Sequence, residues 1–282
     1  MTRRLPVAAV WLVSAGAWSV AAQQPTFSAR TEMVRVDVLA TEKGQPLRGL
    51  QPADFEVLDN GVPQQIELAS FEQIPLNVVL ALDMSDSVAG ERADHLRSAG
   101  RALLEGLKPD DQAALITFSH VVVLGSTLTT DVRRVRTALD EAQPIGGTAL
   151  VDASYTGMMI GESDVGRALL IVFSDGLDTS SWLSPDAVLE TARRSDAVVY
   201  GVAVSGQKAT FLRNLSSLTG GSFFQIESTK NLSDVFLGIL EEFRQRYLVS
   251  YSPRGVAGDG WHQLEVRIKG RRGAAVKARA GY

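Results

Sequence analysis

The chain contains no cysteine in 282 residues. That excludes disulfides, thiolate zinc sites, a cysteine nucleophile and a lipidated cysteine anchor. Histidine is nearly missing as well. His95, His120 and His262 are the only three, too few for a histidine-rich metal site. An excess of one charge is also lacking: 28 basic against 32 acidic residues leave a formal net charge of -4. Bulk charge therefore draws the chain to no nucleic acid. Neither a Gly-x-Gly-x-x-Gly nor a Gly-x-x-x-x-Gly-Lys-Ser/Thr phosphate loop occurs, and no Gly-x-Ser-x-Gly nucleophile elbow. There is no internal repeat and no low-complexity tract. With 45% hydrophobic and 21% charged residues, the composition is that of a globular chain with material for one or two domains.

The N-terminus reads as an address. Arg3 and Arg4 precede an apolar run from Leu5 to Val20, and Val20-Ala21-Ala22 places small residues before Gln23. A charged start, a short apolar stretch and small residues at the cleavage position make residues 1–22 a secretory signal peptide. The run falls short of the roughly 20 residues a membrane helix needs, although an uncleaved anchor is the alternative. The expectation is an exported protein, periplasmic or extracellular, with no membrane span after cleavage.

Three stretches follow. In residues 23–74, Val34, Val36 and Val38 alternate with polar neighbours, the period of a strand. Asp59-Asn60-Gly61 sits between Phe55/Val57 and Ile66/Leu68 and reads as a hairpin turn, because both turn residues need positive φ. Residues 75–246 change character. Leu76–Leu82 is an apolar run suited to a strand covered on both faces. Strands over Ala113–Phe118, Val121–Leu124, Ala168–Ser174, Val198–Val204 and Ser222–Gln225 alternate with helices. The helices are placed at Glu91–Leu107, Asp131–Ala142, Leu150–Ile160, Pro185–Arg194, Ala209–Leu218 and Leu232–Arg246. Ser184 as N-cap and Pro185 at the first helical position mark one helix start, with Leu183 placed to staple onto Val188. Such alternation predicts an α/β fold, a mostly parallel central sheet with helices on both faces. Residues 247–282 return to strand patterning. Leu264/Val266/Ile268 and Val276/Ala278/Ala280 form two arms around a Gly270–Gly273 turn. The small flanking segments 23–74 and 247–282 are expected to pack together as one β-sandwich-like domain, since either alone is too small to stand easily.

Chemistry gathers at strand ends of the α/β part, where open parallel sheets bind ligands. Asp83-Met84-Ser85-Asp86-Ser87 follows one strand, Gly146-Gly147-Thr148 precedes a helix, and Ser174-Asp175-Gly176 follows another strand. Converging on one point, they offer only oxygens, two of them anionic, from Asp83 and Asp175. Hard oxygen donors suit Mg²⁺, Mn²⁺ or Ca²⁺, and water or an outside oxygen must complete the shell.

Asp83-x-Ser85-x-Ser87, Thr148 and Asp175 resemble the metal-ion-dependent adhesion site (MIDAS) of von Willebrand factor A (VWA) domains, here in the family's order. Leu107-Lys108-Pro109-Asp110-Asp111 leading to Phe118-Ser119 is also similar to that family. The flanks, with Phe55–Gly61 and Ala278–Tyr282, resemble exported bacterial VWA-related proteins. The resemblance implies that Ser85, Ser87 and Thr148 contact the metal through hydroxyls and that Asp83 and Asp175 act mostly through water on it. It implies no catalytic residue and no enzyme. A protein partner presenting an Asp or Glu carboxylate completes the site. Asp86 stands where the family commonly has a small residue; it either strengthens cation binding and repels an acidic partner, or faces solvent.

Other residues carry two readings each. Asp152, one turn into the helix after Thr148, either orients a metal water or a loop amide, or has a capping or surface role. Asp178 is either a supporting acid or a solvated loop residue. Trp182 either meets a partner beside the metal or packs under its loop. His95 and His120 are expected to face water. The six basic residues of Arg267–Tyr282 read as a solvated sheet face with edge-protecting charges. Two other functions compete with binding. One is a Mg²⁺-dependent phosphatase-like hydrolase with Asp83 as nucleophile, which lacks a proton donor where Ser85 stands. The other is a structural assembly protein whose metal site is unused.

Overall fold

The apolar run expected to be covered on both faces is β6 below, and all eight of its residues are buried. The structure, a computed structural model, describes residues 33–71, 74–162, 166–204, 209–257 and 260–282; the expected signal peptide lies outside them. Chain order begins with β1 (Val34–Glu42), β2 (Gln45–Pro46), β3 (Phe55–Asp59), β4 (Val62–Gln64) and β5 (Ile66–Ser70). The α/β part contains β6 (Leu76–Asp83), α1 (Glu91–Glu105), β7 (Gln112–Phe118), β8 (Val122–Thr129), α2 (Val132–Glu141), α3 (Leu150–Gly161) and β9 (Arg167–Ser174). It continues with α4 (Pro185–Ala192), β10 (Val198–Val204), α5 (Thr210–Leu218), β11 (Phe223–Ile226) and α6 (Leu232–Arg244). Last come β12 (Tyr247–Tyr251), β13 (Leu264–Ile268) and β14 (Ala274–Lys277).

The central sheet has the order β11-β10-β9-β6-β7-β8. Its pairs are parallel except β7 with β8. The period of two along β6 divides its side chains between two cores. Leu76, Val78, Leu80 and Leu82 meet Leu96 and Leu103 of α1, Leu139 of α2, and Phe236 and Phe243 of α6. Val79 and Ala81 face the other way, toward Ala153 and Met158 of α3, Val188 of α4 and Leu212 of α5. Close approach of α3 depends on Gly157, where a Cβ would lie 2.6 Å from a Leu170 methyl. The start of α4 follows its cap: Ser184 Oγ accepts the Ala187 amide at 3.3 Å, and Pro185 opens the helix. Leu183, placed as a staple from sequence, is instead 39% exposed, and its amide is held by Asp152.

The two flanks build further sheets. One has the order β14-β1-β12-β5, with β2 on β1, and the other β13-β3-β4. Val34 to Val38 of β1 pair antiparallel with Tyr251 to Tyr247 of β12. Asn60 and Gly61 join β3 to β4 with φ of 47° and 80°, the two positive values a primed turn demands. The arms around Gly270–Gly273 are not a paired hairpin. β13 lies against β3, and β14 against β1. The reason is a shared core: Phe55, Val57, Tyr247, Tyr251, Leu264 and Ile268 pack between these sheets, with Val276 against them. Both arms serve that core best from opposite sheets. Past Lys277 the alternation of Ala278 and Ala280 does not continue a strand, although Ala280 O still accepts the Leu264 amide. His95, expected in water, is half-buried with Nδ1 2.9 Å from Thr229 Oγ1.

Candidate metal centre

β6 and β9 are parallel neighbours in register, so their carboxyl ends release the chain side by side. Asp83 closes β6, and Asp175 follows the last residue of β9. Asp83 Oδ1 accepts the Ser85 amide at 2.9 Å, which curls the turn after β6. Its Oδ2 accepts the Ser174 hydroxyl at 2.7 Å, tying that turn to β9. Ser85 Oγ and Ser87 Oγ lie 3.0 Å apart, and Ser87 Oγ donates to Asp175 Oδ1 at 2.6 Å.

The loop before α3 is stitched to the same turn. Ile145 N donates to Met84 O at 2.8 Å, and Asp86 N to Gly146 O at 2.9 Å. Thr179 and Ser180 donate their amides to Thr148 O at 2.9 and 3.1 Å, and Thr179 Oγ1 accepts the Thr148 amide at 3.0 Å. Gly176 gauges where the Thr148 hydroxyl falls. A Cβ there would lie 3.5 Å from Thr148 Oγ1 and 3.9 Å from Ser87 Oγ, so both hydroxyls border one spot. Asp83, Ser85, Ser87, Thr148 and Asp175 are thus brought together from three separate stretches of chain.

The charges in this cluster are unequally served. Asp83 is fully buried, and its burial pushes the carboxyl pKa above the ordinary 3.8; the bonds from Ser174 and Ser85 oppose that rise, and the Asp175 charge adds to it. Among the described residues it has no ion pair. Asp175 has one: Arg92 Nη1 donates to its Oδ2 at 2.7 Å and to the Ser87 carbonyl at 3.1 Å. A buried carboxylate without a cationic neighbour, ringed by hydroxyls, fits a hard divalent cation. Adjacent corners of a Mg²⁺ octahedron are about 3.0 Å apart for bonds of roughly 2.1 Å, which the Ser85–Ser87 spacing matches. Among the described residues no group of three or more His, Cys, Asp or Glu can hold a metal. Any such centre here must draw on hydroxyls.

The remaining sequence candidates fall around the cluster. Asp86 is exposed. Asp152 orients loop amides: Oδ2 accepts Trp182 N and Oδ1 accepts Leu183 N, both at 2.9 Å. Asp178 fastens the same loop, with Oδ2 accepting the Val151 amide at 3.0 Å and the Ser181 hydroxyl at 2.5 Å. Neither acid bonds to the five clustered residues. Trp182 does not pack under its loop; it is 95% exposed. Sequence reasoning named Ser174 beside Asp175 but gave it no role, and it missed Arg92 and Thr179. The bond from Ser174 to Asp83 joins two strand ends that the local pattern does not pair, and nothing in that pattern marks Arg92.

The family model for the von Willebrand factor type A domain matches residues 77–237. The chain belongs to that family. Among relatives of this VWA chain, inter-alpha-trypsin inhibitor heavy chain H2 of Sus scrofa is 27% identical over 139 residues, covering 45% of this chain and 15% of that protein. This chain therefore corresponds to a small part of those heavy chains. A UPF0353 protein of Mycolicibacterium gilvum is 24% identical over 277 residues, covering 77% of this chain and 81% of that protein. Two solved structures share the fold. The vWF domain of the type V pili tip protein Mfa5 from Porphyromonas gingivalis superposes with a TM-score of 0.52 at 15% identity, covering 67% of this chain and 100% of that one. Proximal thread matrix protein 1 from the mussel byssus, with a zinc-occupied MIDAS motif, gives 0.55 at 17% identity, covering 64% and 48%. Among the described residues of the VWA chain, no helix is long and apolar enough to cross a membrane.

Proposed function

We propose that the VWA domain is a metal-dependent protein-binding module of an exported protein, and that its partner supplies an Asp or Glu carboxylate. Ser85, Ser87 and Thr148 offer neutral hydroxyl ligands, and Asp83 and Asp175 supply negative charge behind them. A divalent cation held there, Mg²⁺ or alternatively Mn²⁺ or Ca²⁺, provides an electrophilic centre that neutral ligands leave unquenched. The observation that carries this reading is the convergence of Ser85, Ser87, Thr148 and Asp175 with Asp83, a buried carboxylate with no cation of its own among the described residues. The zinc-occupied MIDAS of the mussel protein supports it by likeness of fold. The charged start and short apolar run at residues 3–20 support export.

Trp182 serves as the apolar contact of the same face. Asp152 holds its loop by two consecutive amides, so an exposed indole is presented without the entropy cost of ordering a floppy loop. The hydrolase reading is less favoured. Both carboxylate oxygens of Asp83 accept hydrogen bonds and the residue is wholly buried, a poor posture for a nucleophile.

Selection of a displayed peptide library against the mature protein, in Mg²⁺ and in EDTA, tests the reading. Peptides retained only in Mg²⁺ should share an acidic residue, and Asp→Asn or Glu→Gln in the peptide should abolish retention. Peptides retained equally in EDTA, or unaffected by loss of the acid, would refute it.

A further inference from the structure

Arg92 belongs to no part of the hydroxyl and carboxylate pattern, yet it reaches the centre of it. It lies in the first turn of α1, which begins at Glu91. Its Nη1 bonds at once to Asp175 Oδ2, at 2.7 Å, and to the Ser87 carbonyl, at 3.1 Å. The two ends of this ion pair differ in burial: the arginine side chain is 48% exposed and the Asp175 side chain 0%. Both Asp175 oxygens are then engaged, Oδ1 by the Ser87 hydroxyl and Oδ2 by the guanidinium. One positive charge cancels one of the two carboxylates that would attract a divalent cation.

We propose that Arg92 is a built-in counter-ion that competes with the divalent cation for Asp175 and so sets the metal affinity of the site. This rests on the metal-binding reading above. A cation approaching Ser87 and Asp175 meets the guanidinium at the same carboxylate, and like charges this close repel. The exposed arm of Arg92 can leave for solvent, where a long charged side chain is well hydrated. Asp175 has no such freedom, because it is fixed beside β9 and buried. Without either cation its charge would stand uncompensated. Arg92 therefore keeps the fold stable when divalent cations are scarce, at the cost of weaker metal binding.

The experiment measures Mg²⁺ and Mn²⁺ affinity by calorimetry, and thermal unfolding in EDTA, for the mature protein and for Arg92→Gln and Arg92→Lys. Arg92→Gln is expected to bind Mg²⁺ about tenfold more tightly, as loss of a nearby like charge predicts, and to unfold at a lower temperature in EDTA. Arg92→Lys keeps the charge and is expected to stay within about threefold of the parent affinity. An unchanged or weaker Mg²⁺ affinity in Arg92→Gln overturns the proposal, and shows that the arginine only positions Asp175 or the turn. If Arg92→Gln does not fold, Arg92→Lys decides with a second comparison, at low and high NaCl. Mg²⁺ affinities of parent and Arg92→Lys that stay within about threefold of each other and shift alike with added salt support the charge role; a gap of more than about threefold between two proteins of equal charge, or a salt response in only one of them, overturns it. Failure of both the parent and Arg92→Gln to bind any divalent cation is distinguishable from all of these, since it removes the metal reading itself.

Discussion

Asp59 and Asp83 are both fully buried, but the protein treats them in opposite ways. Asp59 ends β3 in the flanking sheets. Its Oδ1 lies 2.8 Å from His262 Nδ1, and its Oδ2 accepts the hydroxyls of Tyr251 at 3.0 Å and Tyr282 at 2.8 Å. The His262 ring stacks on Tyr282 at 4.7 Å. Three side chains from the C-terminal stretch thus close around one carboxylate. Asp83 ends β6 and is served by Ser174 and Ser85, with no cationic partner among the described residues, while a second carboxylate, Asp175, raises its pKa further. A buried acid surrounded by protein donors ties segments together. A buried acid left short of positive charge has its pKa raised by burial and has carboxylate charge that an added cation can offset.

Breaking the closed cluster should have the largest effect. Asp59→Ala strands His262 and two tyrosine hydroxyls in a buried setting and should cost about 3–5 kcal/mol of stability, read from the urea midpoint, with metal affinity unchanged. A loss under 1 kcal/mol would show that the network contributes nothing to the fold. Asp83→Asn should do the reverse. At a hundredfold excess over Kd, Mg²⁺ should add about 2.7 kcal/mol to the parent and nothing to Asp83→Asn. In EDTA this variant should equal or exceed the parent, because an amide avoids the cost of burying a charge. Equal Mg²⁺ stabilisation of both proteins would remove Asp83 from the centre.

Tyr282→Phe should be milder, about 1 kcal/mol for one hydrogen bond, and its signature is alkaline. Burial and the Asp59 carboxylate hold the Tyr282 phenol up at about 12 against an ordinary 10.0, and they push Tyr251 upward as well. The folded protein thus keeps protons that the unfolded chain releases. The stability contributed is complete below about pH 10 and is lost as pH rises toward 12. Tyr282→Phe should flatten that decline in denaturant titrations at stepped pH, and an identical slope would exclude the phenol as its source. Trp182→Ala should be smallest, within about 0.5 kcal/mol for an exposed side chain. It should nevertheless weaken capture of the Mg²⁺-selected peptides, and undiminished capture would take the indole out of the binding face.

Much of the α/β part was legible residue by residue. Val198–Val204 was placed without error as β10, and the other buried strands and the helices fell within a few residues, because fully buried strands and amphipathic helices carry strong periods; the strand expected over Val121–Leu124 stopped five residues short of the end of β8, which is largely exposed and carries no such period. The Asn60-Gly61 turn and the Ser184-Pro185 start were legible because each depends on local backbone chemistry. The spacing of Asp83, Ser85 and Ser87 was legible for the same reason: one turn carries all three. The Gly270–Gly273 turn was recognised, but the sheet that each arm joins was not: β13 pairs with β3 and β14 with β1. Turn residues report a reversal of the chain, not which sheet each arm enters.

What the sequence by itself determined is therefore local: the strand and helix periods, the turn and cap chemistry, the absence of cysteine, and the oxygen-only character of the donors. Tertiary structure alone decided which distant segments meet. It paired β1 with β12 across the whole α/β part, and it closed His262, Tyr251 and Tyr282 over Asp59, an acid that reads in sequence as part of a turn. It set Arg92 against Asp175, 83 positions later, and turned Trp182 outward while Asp152 held its loop. The physical reason is that periodicity and capping are fixed by neighbours along the chain. The partner of a buried charge or an outward ring is fixed by packing, and that partner has no required spacing in the sequence.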